Sequence, residues 1–560
     1  MECGSFATSN AFGELIFEYN LDLERQLEKN PDVCVTKLDG RFAVAYYRRE
    51  DMDLSITRTG YFAVPKLYAP MDTTAVEAVG ATWGFRQPAL ELKGNGVLVG
   101  VIDSGIDLSH PAFFDSAGNS RVTALWDQTD ESGIPPKRLG YGSVYNSEQI
   151  NALLQEEEAD LPGKDETGHG TFLAGVAAGS EDLASDFVGA APEASLAVVK
   201  LKPAKSYLRA FYFVKEGAEC YQESDVMAAL AFLTEVQLQE RKPMVVLFGF
   251  GSSMGGHAGN TALAQMMERM SDNRGTVIVA PTGNEANASH HYQGQISSLA
   301  GSERVEFRVP EGSRGVTIEF WGGISERYQI AVRSPGGEMT PIGMIGLTDS
   351  DRYRFYREGT TVYVDTFLEG NRSEGQLILI RLEKPAPGVW EIEVRGQTLL
   401  NGRYHMWLPV SALVEEGTVF LRPSPDVTLT EPATAKSTIG VAGYNHRNGG
   451  IYLESGRGYN RLEEIRPDVA APAVSVYGPL PKGRYGNRSG TSAAAALTAG
   501  ICADLLEWGI VRGEEPYLNQ ARMRDYLIRG AGRMTDRRYP NREWGYGTVS
   551  LEGVFRAIQG

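Results

Sequence analysis

Three short stretches of this 560-residue chain carry side chains suited to one kind of chemistry. In GVIDSGIDLSHP, Asp103 ends an apolar run. In DETGHGTFLAGVAAG, His169 stands between Gly168 and Gly170. In NRSGTSAAAALTAG, Ser492 follows Gly490 and Thr491 and opens a run of alanines. Each has a plain structural reading when taken alone. An aspartate at a strand end caps loop amides, and a histidine at a helix start is incidental. A serine before alanines is a favoured N-cap ahead of the best helix former. Together the three supply an orienting carboxylate, a base and a nucleophile. The histidine would take the serine proton and return it to a leaving amine. The aspartate would fix the imidazole tautomer and stabilise the imidazolium. A serine at a helix N-terminus also lies beside aligned amides, which stabilise a developing oxyanion. The chain holds seven histidines, and His110, His257, His290, His291, His405 and His446 lack the glycine-flanked setting of His169.

The elements around these stretches predict an α/β fold. GVLVGVIDSGID, ASLAVVKL (194–201), PMVVLFGFG (243–251) and TVIVAPTGN (276–284) are continuous apolar runs that meet loops, as buried parallel strands do. Helical segments lie between them, including GTFLAGVAAG and ESDVMAALAFLTEVQLQE. This alternation predicts a doubly wound parallel sheet. From about residue 302 to 410 come RVEFRVP, GVTIEFWG, YQIAVRSP, TTVYVDTFLEG, GQLILIRLEK and GVWEIEVRG, near-alternating and separated by turn residues. They predict an all-β sandwich inserted into the α/β domain. The α/β texture resumes at KSTIGVAGYN and PDVAAPAVSVYG. Residues 1 to about 68 read as a small α/β unit, with strands ELIFEYN and RFAVAYYRR, a helix DLERQLEKN between them and a further strand in DLSITRTGYFAVP.

Composition narrows the partners. Lys plus Arg is 54 and Asp plus Glu is 71, so the net charge is 54 − 71 = −17. That argues against nucleic acid and anionic membranes. Cys3, Cys34, Cys220 and Cys502 are widely spaced and contain no CxxC pair, which argues against a disulfide framework or a zinc ribbon. MECGSFATSNAFGELIFEYN has neither a basic n-region nor a long apolar core, so no secretory signal is expected. The apolar runs are too short to span a bilayer. A cytoplasmic location is the expectation.

VIDSGID, GHGTFLAGVAAG and SGTSAAAA together resemble the three active-site signatures of the subtilisin-like serine proteases. VGAAPEASLAVVKL resembles the strand after the histidine helix of that family, and RPDVAAPAVSVYG resembles the segment before the nucleophile. The likeness covers most of 97–300 and 425–510. It implies a subtilisin-like doubly wound sheet and a serine endopeptidase with Asp103, His169 and Ser492 as its triad. VIVAPTGNEAN matches the loop that carries the family's oxyanion asparagine, which places Asn284 in that role. LFGFGSSMGGH matches the substrate-binding segment, so Gly249, Phe250 and Gly251 would form one wall of the first specificity pocket, with a place in the core the equal alternative for Phe250. Thr282 and Gly283 would form the other.

The spacing from Asn284 to Ser492 is 492 − 284 = 208 residues, far longer than a minimal subtilisin uses. With a pro-region, a jelly-roll insert at this place and no signal peptide, the layout resembles the clostridial Csp-type spore-germination proteases. It implies a pro-region at 1–68, catalytic segments at 69–300 and 416–560, and a β-sandwich insert at 301–415. The pro-region would act as a folding chaperone, be cut off by the enzyme within 62–75, and stay bound as an inhibitor. The implied partner is a protein or peptide substrate, in that subgroup the pro-form of a cortex hydrolase, and the implied location becomes cytoplasmic or spore-associated. A general intracellular subtilase and a non-catalytic sensor or scaffold are the alternatives. No cofactor is implied. The aspartate of the family's strong calcium site falls at Ala112, so no metal is expected there. GTSAAAA also departs from the family's GTSMAAP, with Ala496 where proline is usual.

Overall fold

The computed structural model describes residues 12–18, 33–37, 42–48, 74–87, 90–137, 139–156, 160–342, 348–369 and 375–559. They fall into two compact units, Met1–Pro70 and Met71–Gly560. In the first, Phe42–Arg48 pairs antiparallel with both Phe12–Glu18 and Cys34–Lys37. The central strand and Phe12–Glu18 were expected. Cys34–Lys37 was not, and Cys34 is disulfide-bonded. The expected helix at 22–30, the strand at 53–65 and most of the stretch 62–75 lie outside the described residues.

The second unit is built on a nine-stranded sheet among the described residues. Its central strands run in the order Ile439–Asn445, Thr276–Pro281, Met244–Phe248, Leu98–Asp103, Ser195–Lys200, Val122–Asp127, all parallel. Val469–Pro472 extends it in parallel beyond Ile439–Asn445, and Gly450–Ile451 and Ser143–Asn146 add antiparallel edges. Leu98–Asp103 lies between two parallel neighbours and is buried along its whole length, which is why it reads as unbroken apolar sequence. Its side chains alternate. Val99 and Val101 join the core beneath the helices His169–Ala178 and Thr491–Leu506, while Leu98 and Ile102 join the core beneath Glu223–Glu240 and Ala262–Ser271.

The two helices on the first face are made of small residues because they pack close. A Cβ on Gly500 would lie 2.4 Å from Ala190 Cβ and 2.7 Å from the Ala177 carbonyl. In Thr491–Leu506 every residue except Ser492 is buried. Among the described residues this helix, continued to Val511, is long and apolar enough to cross a membrane, but 83% of that window is buried inside the protein. Burial between sheet and neighbouring helix accounts for its composition.

The insert is a sandwich of a six-stranded and a four-stranded antiparallel sheet among the described residues. Ile318 faces Ile380 and Phe320 faces Ile378 across one pair of strands, and Phe307 faces Trp390 in the other sheet. All six are buried in one cluster. The sheets also take in His291–Gln295 and Val419–Phe420, which lie outside the expected 301–415. The crossings into and out of the insert are themselves strands. They are too short to read as strands from alternation.

Candidate active site

Asp103 is the last residue of the central strand, so its carboxylate stands at the carboxyl end of the parallel sheet, where open α/β sheets bind ligands. It is 2% exposed. Ser104 N–H donates to its Oδ1 at 2.8 Å. The same oxygen faces His169 Nδ1 at 2.8 Å. His169 is the first residue of its helix, and the preceding cap Gly168 has φ 70°, a conformation that strains any residue with a Cβ. With Nδ1–H donating to the carboxylate, Nε2 is left as acceptor, and it faces Ser492 Oγ at 3.2 Å. Ser492 lies in the first turn of its helix, where the backbone amides have no intrahelical acceptor. Three residues spread over 389 positions (492 − 103) therefore form one relay of carboxylate, imidazole and hydroxyl.

Burial works against the charged imidazole, but the charge and hydrogen bond of Asp103 outweigh it, helped by Asp165 and opposed by Arg488. The net result is a His169 pKa raised above the ordinary imidazole value. Asn284 follows the strand Thr276–Pro281, and its Oδ1 accepts from Thr491 N–H at 3.0 Å and Thr491 Oγ at 3.2 Å. That fixes which end of the amide is which. A Cβ placed on Gly490 would lie 3.4 Å from Ser492 Oγ and 3.6 Å from Asn284 Nδ2, so both groups border the space that this glycine leaves open. A cavity of about 440 Å³ opens here, lined by His169, Asn284 and Ser492 together with Phe172, Arg488, Ser489 and Ala493.

The other expected substrate-binding residues lie outside that lining. Gly249 packs on Asp103: a Cβ there would stand 1.7 Å from Oδ2, so only glycine leaves room for the carboxylate. Phe250 packs on Phe248 and Tyr221, at 5.9 and 5.7 Å between ring centroids. Gly251 and Gly283 face each other across Thr430, whose side chain would meet a Cβ on either at 2.3 and 2.5 Å. Thr282 is buried, and its N–H donates to the Val441 carbonyl at 3.1 Å. Ala112 lies in a buried turn, its carbonyl taken by Ser180 N–H at 2.8 Å and by Arg121 Nη2 at 3.0 Å.

The family model described as the subtilase family (peptidase S8) matches residues 94–304 and 416–547. The chain belongs to the subtilase family. The unmatched stretch between the two segments lies almost wholly within the β insert. This subtilase is 23% identical over 555 residues to the PII-type proteinase of Lactococcus lactis subsp. cremoris, an alignment that covers 88% of the chain but only 27% of that relative. It is 24% identical over 206 residues to thermitase of Thermoactinomyces vulgaris, covering 37% of this chain and 54% of thermitase. Its fold is similar to that of the CspB protease of Clostridium perfringens, with a TM-score of 0.78 and 29% identity over 87% of this chain and 98% of that one.

Two features of the subtilase site were not read from its sequence. Asp165 sits three residues ahead of Gly168, buried, and accepts from Gly168 N–H at 2.8 Å, Thr171 N–H at 2.7 Å and Ser104 Oγ at 2.8 Å. It pins the start of the histidine helix and, through Ser104, the strand end that carries Asp103. An Asp shortly before a helix was the available signal, and a cap was its ordinary meaning. The second is Arg488, at the end of a hairpin formed by Val476–Leu480 and Arg484–Arg488. That hairpin had not been read as strands.

Proposed function

We propose that this subtilase is a serine endopeptidase in which Ser492 attacks the scissile carbonyl. His169 accepts the Ser492 proton at Nε2 and later delivers it to the leaving amine. Asp103 holds the tautomer and balances the imidazolium charge. Asn284 Nδ2–H and the Ser492 backbone N–H donate to the oxygen of the tetrahedral intermediate. The observation that carries this is the relay of 2.8 and 3.2 Å from Asp103 through His169 to Ser492. A sensor that only binds peptides has no need of it. The test is a fluorophosphonate label followed by peptide mass mapping. Modification at Ser492, absent after Ser492→Ala, is the expected result, and an unlabelled wild-type chain would refute an activated nucleophile.

Two further outcomes follow from the geometry. Asn284→Ala should lower kcat by about 10²–10³ with little change in KM, the loss found for this kind of donor in a subtilisin, because the bond to the oxygen forms fully only in the transition state. A large KM effect with kcat intact would contradict it. The acidic limb of kcat/KM should lie above pH 6.5, because the base must be neutral and the His169 pKa is raised. Activity is thus full at pH values above the folded pKa and lost as the pH falls through it. A pH–rate profile with its midpoint below 6 would show that Asp103 does not control the imidazole.

The finer role follows the Csp-type likeness. The N-terminal unit is removed by the chain's own activity within 62–75 and remains as an inhibitor, and the substrate is the pro-form of a cortex hydrolase in a germinating spore. The layout and the similarity to the Clostridium perfringens CspB protease support this reading. Wild-type preparations should contain two fragments where Ser492→Ala preparations contain one chain. Cleavage of many denatured proteins, with no preference for a pro-hydrolase, would favour a general subtilase instead.

A further inference from the structure

Arg488 stands at the cavity beside Ser492 and takes no part in the steps above. It is the last residue of its hairpin strand, four positions before the serine, and is half-buried. Its Nη2–H donates to the Thr167 carbonyl at 2.7 Å, and its guanidinium lies 5.9 Å from the centroid of the Phe172 ring. Both contacts are to residues that flank His169, two before it and three after. Among the described residues no carboxylate lies within ion-pair distance of it, in a chain whose net charge is −17. Its charge reaches the centre of the site, since it opposes protonation of His169.

The position decides which part of a substrate meets this charge. In the proposed mechanism the acyl oxygen goes toward Asn284 and the Ser492 amide. The leaving amine must take its proton from His169 Nε2, so the departing segment lies along the His169 side of the cavity. Arg488 is anchored on that side. We propose that Arg488 is a specificity residue that receives an acidic side chain on the first or second residue after the scissile bond, with Phe172 packing against the stem of that side chain. A guanidinium fits a carboxylate in two parallel hydrogen bonds, which favours Glu or Asp over their amides as well as over Lys.

This rests on the proteolytic reading, and the experiment separates the two. Matched quenched-fluorescent peptides carrying Glu, Gln or Lys at that position are given to the full chain, to Arg488→Gln and to Arg488→Glu. For the wild type, kcat/KM should be about fivefold higher with Glu than with Gln, the scale of a partly exposed ion pair, and lowest with Lys. The preference should shrink toward unity near 1 M salt, where screening acts within about 3 Å. Arg488→Gln should treat Glu and Gln alike, and Arg488→Glu should prefer Lys. Cleavage of the Gln peptide by both variants shows that they are folded and competent. Equal rates for Glu and Gln in the wild type, or a Glu preference that survives in Arg488→Glu, would overturn the assignment. A wild type that cleaves none of the peptides would instead overturn the proteolytic reading, and this one with it.

Discussion

Ser492→Ala should lower kcat by about 10⁶-fold, the loss found when the nucleophile of a subtilisin is removed. The reason is that nothing else at the site can form the acyl intermediate. Of the groups around the cavity, Ser489 is the only other hydroxyl, and it is His169 Nε2 facing Ser492 Oγ that makes the latter reactive. What remains would come from Asn284 and the helix amides acting on bound substrate, a residual 10³–10⁴ over water. The substitution should leave the fold intact. Ser492 is the one residue of its helix that is not buried, and alanine is the better helix former. An unchanged melting temperature with activity gone is therefore the expected pair of results, measured by calorimetry and by peptide hydrolysis. Activity within about tenfold of wild type would remove Ser492 from the mechanism.

Asp103→Asn should cost on the order of 10⁴ in kcat, the effect of the same change in another serine protease triad. Here the surroundings say why neither amide orientation can work. Oδ1 receives the Ser104 N–H and faces His169 Nδ1, while Oδ2 is buried against Gly249 with no partner. If the Asn oxygen takes the Oδ1 place, the tautomer survives, but an NH₂ group is buried unpaired beside Gly249 and the imidazolium loses its counter-charge. If the amide flips, its NH₂ opposes Ser104 N–H and Nδ1 must become an acceptor. The proton then sits on Nε2, which can no longer accept from Ser492. In both cases the negative charge that helps raise the His169 pKa is gone, so the acidic limb of the pH profile should move down. A loss below about 10², or an acidic limb that stays in place, would show that Asp103 is a cap and not the counter-charge.

Legibility differed from element to element for physical reasons. Leu98–Asp103 was readable because a strand covered on both faces must be apolar throughout, and its end is marked by the first polar residues. Glu223–Glu240 and the paired strands of the insert were readable because their periods are long enough to register. His291–Gln295, Arg403–Trp407 and the hairpin that carries Arg488 were not. Their strands are five residues each, with polar or glycine positions that break the alternation, and the first two are held by pairing with each other across more than a hundred residues. Asp165 looked like any capping aspartate, because its link to Ser104 spans 61 residues.

The sequence by itself determined the residue types at the site and the local backbone under them: a carboxylate ending a buried strand, a histidine opening a helix directly after a glycine, and a serine in the first turn of an alanine-rich helix. Those features are local, and glycine, alanine and apolar runs record them directly. Only the tertiary structure decided that these three side chains meet, that Asn284 lines the same cavity as Ser492, that Gly249 must lack a side chain because Asp103 fills the space, and that Arg488 stands at the cavity. The order of the parallel strands sets these distances. Neighbours in that sheet are separated by crossovers of tens of residues, and by the whole insert between Thr276–Pro281 and Ile439–Asn445, so no local pattern encodes them.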